Sequence, residues 1–274
     1  MAQEKSRPAE DHRPVEMTER GLIIPALVII VGQACSLKCK NCANFSPYAP
    51  NETRRYSLKR ICEDLNLIFQ SCHYLRRVQV QGGEPFLYTE LPELLDFIRD
   101  SGKAETITVA TNGTIFPDEK VFQALKRNHV RVRISHYPDT PQDTVERLME
   151  RLTRLNLDTW KYEFALDDSM WYDMGGIKAK PEADSDEAVA RRFQNCPFHD
   201  CFTLENGKIS RCSRAVIAEL VQGFTANSGD YLPVVPTEDF PDRLWEYLRA
   251  DRFMEACRFC YGSEGDKILP ALQL

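Results

Sequence analysis

The chain of 274 residues is 43% hydrophobic and 28% charged, the balance of an ordinary globular protein long enough to bury a large core. Its net charge of −6 and pI near 5.5 argue against nucleic acid as the main partner. Ten cysteines without a secretory signal point to a reducing cytoplasm and metal-bound thiolates rather than a disulfide framework.

Residues 1–18 are polar and charged and read as a mobile arm. The apolar stretch 22–31 is too short to span a bilayer and is expected to be a first core strand, so no membrane partner is expected. Further strands are expected at 77–81, 106–111, 130–135 and 159–164, after the first at 26–31. Helical patterns lie between them at 57–72, 91–101, 118–128 and 141–156. The first carries a stripe of Leu58, Ile61, Leu65, Ile68 and Phe69 at helical spacing. Such βα repetition predicts an α/β fold with a parallel sheet, at five or six units short of a complete eightfold barrel.

Directly after the first strand, Cys35, Cys39 and Cys42 form a C-x3-C-x2-C run. Three thiolates hold three corners of a cubane [4Fe–4S] cluster and leave one iron without a protein ligand, whereas an electron carrier supplies four cysteines. An open metal position suggests chemistry rather than structure. The second strand ends in Gly82-Gly83-Glu84-Pro85. Two glycines permit close backbone approach to a ligand. Glu84 would supply an acceptor for an ammonium group, and Pro85 would stiffen the exit from the turn. Asn112 and Ser135 follow at the next strand ends, where such sheets place ligands. Their short polar side chains suit ribose hydroxyls or a carboxylate, although Asn112-Gly113 also reads as a plain turn.

Past 164 the alternation fades into the loop-rich segment 167–176. Cys196, ten residues, Gly207, four residues and Cys212 predict a hairpin with strands at 202–204 and 208–211, turning at Glu205-Asn206-Gly207. Cys257 and Cys260 then form a C-x2-C pair. Four thiolates from these pairs suit a zinc ion as well as an iron–sulfur cluster. Cys62 and Cys72 are read as buried inert thiols. Cys201 is expected near the active-site cavity as an alternative ligand, a spare thiol or a hydrogen-atom donor. Arg133, His136, Tyr137, Trp171, Tyr172 and Asp173 are candidate substrate groups or domain packing. Arg133 or Asp173 would bind hydroxyls, and Asp173 would accept a carbinol proton.

The cysteine triplet and the Gly82–Pro85 loop together resemble the signature of the radical S-adenosylmethionine (radical SAM) enzymes, the loop looking like their GGEP motif. Asn41 departs from the pattern, since many members carry an aromatic residue just before the third cysteine. The resemblance implies a partial (β/α)6 radical SAM barrel. It also implies a SAM-binding [4Fe–4S] cluster on Cys35, Cys39 and Cys42, and S-adenosyl-L-methionine held by Gly82, Gly83, Glu84, Pro85, Asn112 and Ser135. The later cysteine order resembles the twitch domain, a shortened SPASM domain, and implies an auxiliary [4Fe–4S] cluster on Cys196, Cys212, Cys257 and Cys260. The expected division is a mobile arm at 1–20, the barrel at 21–185, and a small C-terminal twitch-type auxiliary cluster domain at 186–274.

Similarity to the aminocyclitol dehydrogenases of that subgroup implies oxidation of a secondary alcohol of a sugar or aminocyclitol, with Cys201, Arg133 and Asp173 as catalytic candidates. Three alternatives stand beside it: a redox-neutral epimerase with Cys201 as hydrogen donor, modification of a ribosomally made peptide, and a non-enzymatic iron–sulfur electron carrier. A flavodoxin- or ferredoxin-type reductant is the implied protein partner.

Overall fold

The computed structural model describes residues 14–138, 140–163, 171–178, 184–196, 198–199 and 201–274. Most of the expected arm, Phe164 at the end of the fifth strand, and 167–170 of the loop-rich segment lie outside the described residues. The last part of the expected 1–20 arm is a paired strand instead. There β1 (Glu16–Thr18) runs antiparallel to β2 (Gly21–Ile24), and Glu16 pairs with Arg76 at 3.3 Å.

The run LVII is apolar at every position, as a strand covered on both faces requires, and forms the fully buried β3 (Leu27–Ile30). Beside it lie β4 (Tyr74–Gln81), β5 (Ala104–Thr111), β6 (Arg131–His136) and β7 (Thr159–Glu163), each parallel to the one before. The crossovers are α1 (Leu58–Ser71), α2 (Leu91–Asp100), α3 (Glu119–Arg127) and α4 (Gln142–Arg154). Ile61, Leu65, Ile68 and Phe69 of the α1 stripe are buried against the sheet. Asp118 caps α3 by accepting from the Val121 N–H at 3.0 Å, satisfying a donor the first turn leaves unpaired. Cys72 is buried and Cys62 packs partly buried against the same core, and burial raises their thiols to about 12 and about 11, so both fit the inert reading.

After β8 (Trp171–Tyr172) come α5 (Asp186–Gln194), β9 (Thr203–Glu205), β10 (Lys208–Ser210), α6 (Ala215–Gln222), β11 (Leu232–Pro233), α7 (Phe240–Arg249) and β12 (Lys267–Ile268). The expected cysteine hairpin is β9 and β10. It does not stand apart, because β9 pairs in parallel with the free edge of β3, Val28 opposite Thr203 and Ile29 opposite Leu204. One curled, open sheet therefore runs β11-β10-β9-β3-β4-β5-β6-β7, a partial barrel whose far edge is β7, while β8 and β12 form a separate ribbon. Among the described residues no helix is long and apolar enough to cross a membrane.

Candidate active site

The cysteine loop leaves β3 through Gly32, whose backbone sits at φ +144°. Gln33 and Ala34 then donate to Thr53 O and Arg54 O at 2.8 and 3.1 Å, which fixes the start of the loop. Cys35, Cys39 and Cys42 line one cavity of about 170 Å³ at the carboxyl ends of the strands. Burial pushes Cys35 up to about 12 and Cys39 up to about 11, with neighbouring thiols adding to both. N–H groups oppose that rise: Leu37 N and Asn112 Nδ2 lie 3.4 and 3.6 Å from Cys35 Sγ, and Gln273 Nε2 lies 3.5 Å from Cys39 Sγ. A bound metal would favour the thiolate in the same sense as these donors.

Gly82 and Gly83 line the same cavity, and they also permit a close approach of backbone. A Cβ on Gly82 would stand 2.3 Å from Gly32 O, and one on Gly83 would stand 2.2 Å from Ala34 O. In the space so freed, Gly83 N donates to Gly32 O at 2.9 Å and Glu84 N to Ala34 O at 2.8 Å. The glycine loop is thus zipped to the root of the cysteine loop.

Glu84 is held within the fold. Its carboxylate is 2% exposed and accepts from Phe86 N at 3.0 Å, Thr111 Oγ1 at 2.8 Å and Asn112 N at 2.8 Å. Burial raises it to about 7, and those three donors hold it from rising further. Neither Glu84 nor Pro85, which opens a 3-10 turn, is among the lining residues. Glu84 braces the end of β4 to the end of β5.

Asn112 and Ser135 do line the cavity. Asn112 Oδ1 accepts from Thr114 N and Oγ1 at 2.9 and 2.7 Å, while its Nδ2 reaches Ser36 Oγ at 3.1 Å. The Asn-Gly turn is therefore also a tie to the cysteine loop. Arg133, Tyr137 and Trp171 complete the wall, with Tyr137 and Trp171 edge-to-face at 5.4 Å. Burial raises the Tyr137 phenol, and the nearby Ser135 and Arg133 oppose that rise. Tyr137 is thus a neutral donor at ordinary pH.

Asp173 departs from its expected place. It lines neither cysteine cavity; its Oδ1 accepts from Gly175 N at 2.9 Å in a local turn, and its own N–H donates to Asp266 O. Cys201 is not among the residues that line either cavity; it packs, half-buried, against the main core and acts electrostatically on Cys212.

The second cysteine set converges. Cys196 follows α5, Cys212 follows β10, and Cys257 and Cys260 sit on a short turn. All four line a small apolar cavity of about 40 Å³ with Arg192, Phe193, His199 and Arg214. Burial raises Cys257 to about 12 and drives Cys212 well above its ordinary value. Among the described residues no three His, Cys, Asp or Glu side chains meet at a single-ion distance; in both places the thiols ring a space.

Two residues at these sites escaped sequence reasoning, Arg214 and Gln273. Their hydrogen bonds to the cysteine loop close over 171 and 234 residues, and no local spacing signals such pairs.

Residues 29–159 match the family model of the Radical SAM superfamily. Over 107 residues the chain is 26% identical to GTP 3′,8-cyclase of Chlorobaculum tepidum, a match covering 39% of this chain and 31% of that protein. A probable GTP 3′,8-cyclase of Methanococcus maripaludis is 30% identical over 94 residues, 34% of this chain and 29% of that one, so the chain matches under a third of these relatives' length. The solved structure of native anSMEcpe with bound AdoMet and Kp18Cys peptide superposes with a TM-score of 0.52 at 14% identity, covering 92% of this chain and 93% of that one. Histidine-tagged anSMEcpe with bound AdoMet gives the same TM-score and identity over 81% and 76%. These likenesses concern the fold. The cysteine loop after β3 and the glycine loop after β4 both lie inside the matched segment, and residues 29–159 carry a Radical SAM superfamily domain.

Proposed function

We propose that this chain is a radical SAM oxidoreductase that oxidises a secondary alcohol of a small hydroxylated substrate, a sugar or an aminocyclitol. The observation that carries the reading is the cavity in which Cys35, Cys39 and Cys42 face Gly82, Gly83, Asn112 and Ser135. The donor set fits: Cys35, Cys39 and Cys42 would hold one [4Fe–4S] cluster, and Cys196, Cys212, Cys257 and Cys260 an auxiliary one. When bound, the first supplies the electron that splits SAM into methionine and a 5′-deoxyadenosyl radical, and the second supplies an acceptor for one electron from the substrate.

The protein's part is placement. Asn112 and Ser135 present polar side chains to SAM. Arg133 and Tyr137 offer donors to substrate hydroxyl oxygens, and the edge of Trp171 covers the Tyr137 ring on the same wall. Orienting the target C–H and excluding other hydrogen donors is what such chemistry asks of a protein. The position of Cys201 in the core favours oxidation over epimerisation, which would need a hydrogen donor at the cavity. In this reading 21–185 is the barrel, 186–274 a twitch-like unit grafted on the β3 edge, and a flavodoxin or ferredoxin the reductant.

The test is anaerobic reconstitution, with iron counted per chain and 5′-deoxyadenosine assayed after reduction with SAM. About eight irons, falling to about four with cleavage abolished in Cys35→Ala/Cys39→Ala/Cys42→Ala, is the expected result. About four irons in the wild type with zinc at the second set would overturn the oxidative mechanism.

A further inference from the structure

Residues 271–274 lie across the cysteine loop. Gln273 faces Cys39 in an antiparallel bridge, Lys40 N donates to Leu272 O at 2.7 Å, and Leu274 N donates to Lys38 O at 2.9 Å. Those backbone bonds suit any sequence, but the side chain of Gln273 does not. Its Oε1 accepts from Lys38 N at 2.7 Å, and its Nε2 donates to Ala271 O and to Cys39 Sγ, the latter at 3.5 Å. A carboxamide offers one acceptor and two N–H donors, and all are engaged here. Ala271 is 3% exposed and sits at φ +56°, a left-handed conformation that a non-glycine residue holds only where its surroundings impose it. The bend at Ala271 turns Gln273 onto the loop. Cys39 is 7% exposed and is the middle cysteine of the triplet.

We propose that Gln273 is a positioning residue for the cluster on Cys35, Cys39 and Cys42: its amide N–H donates to the Cys39 thiolate, and the strap 271–274 clamps 38–40, so that both set the potential and the iron retention of that cluster. The proposal rests on the reading that the triplet binds a cluster. An N–H donor draws charge from a ligating sulfur and so stabilises the reduced, more negative state; outer hydrogen bonds of this kind tune metal sites. Removing it makes reduction harder. Gln273 is itself exposed, so its substitution leaves the core intact.

The experiment is an EPR-monitored redox titration of the reconstituted full chain, following the signal that responds to added SAM and, as an internal reference, the signal that does not. In Gln273→Leu the reduced-to-oxidised ratio of the SAM-responsive cluster at a fixed reductant potential is expected to fall three- to tenfold, tenfold being about 59 mV for one electron. Gln273→Glu, which sets a carboxylate against the thiolate, is expected to shift further in the same direction. Iron release to a chelator is expected to quicken in both, while the reference signal keeps its potential. Full iron content with an unchanged potential in both variants would overturn the proposal, as would equal shifts in the two signals. Wild-type iron that does not fall in the triple cysteine variant would overturn the cluster reading beneath it, an outcome the iron count separates from the first.

Discussion

The Arg214 guanidinium stands 3.9 Å from the centroid of the Phe45 ring, and its two ends donate to Ala43 O at 3.2 Å and Gly175 O at 2.6 Å. Two residues after Cys212 and one contact from Cys42, it stitches the loop of the first cysteine set to the wall of the second. Burial lowers its pKa, and the surrounding thiols of Cys260, Cys212 and Cys42 oppose that. A cation only 5% exposed survives because hydrogen bonds, a ring face and nearby sulfur share its charge.

Arg214→Ala is therefore expected to take the donor from the Ala43 and Gly175 carbonyls and to destabilise the chain by about 1–3 kcal/mol. Urea unfolding followed by circular dichroism measures the loss. An unchanged midpoint would show that the two loops are held together without it.

Gly83→Ala is expected to unzip the glycine loop from the cysteine loop, because its Cβ would stand 2.2 Å from Ala34 O, a backbone atom that cannot swing away. The cost is about 1–3 kcal/mol or more, with SAM binding lost. Gly176→Ala, with nothing within 4 Å of the new Cβ, is the matched control and is expected to leave both unchanged. Isothermal titration with SAM on the reconstituted pair separates these outcomes.

Stability is expected to fall as pH rises from about 4.5 to about 7. Glu205 is wholly buried, with Oε1 accepting from Gln33 Nε2 at 2.9 Å and Tyr56 OH at 3.0 Å, and burial raises it from 4.5 to about 7. Between those values the folded state holds a proton that the unfolded state has released. Stability is therefore lost through that window and levels off above it, by about 3 kcal/mol for a shift of this size. Glu84 contributes with the same sign. Glu205→Gln keeps the acceptor for Gln33 and Tyr56 and removes one of the two slopes. Urea midpoints at pH 5 and pH 8 for both proteins check it; an unaltered slope would remove Glu205 as its source.

Asp173→Asn is expected to change substrate turnover less than threefold, because an amide oxygen still accepts from Gly175 N and the position lies outside the cavity wall. A loss of a hundredfold or more, the size general-base removal brings, would return Asp173 to the chemistry.

From β3 to β7 the βα alternation was readable to within three residues at every strand and helix end, since periodic apolar faces are a local property of the chain, whereas β1 and β2 were not foreseen. The seven cysteines that line the two cavities were readable as two groups for a related reason: the triplet lies on one loop, and hairpin and C-x2-C spacings bring the rest into pairs. The hydrogen bonds that hold Glu84 and Asp173 were not legible from their charge. Which donors reach a carboxylate is decided by the fold, here the Thr111 hydroxyl and the Asn112 N–H at Glu84 and the Gly175 N–H at Asp173.

Residue order alone therefore specified the repeating units, the two thiol sets and the strand ends that carry them. The union of hairpin and barrel through β9 and β3, the Arg214 stitch and the Gln273 strap were settled only by folding. Each is a contact between segments more than 170 residues apart, with partners that are backbone carbonyls or a single sulfur. Such partners leave no pattern in a sequence, because every residue has a carbonyl, and only packing decides which of them is left for a buried donor to find.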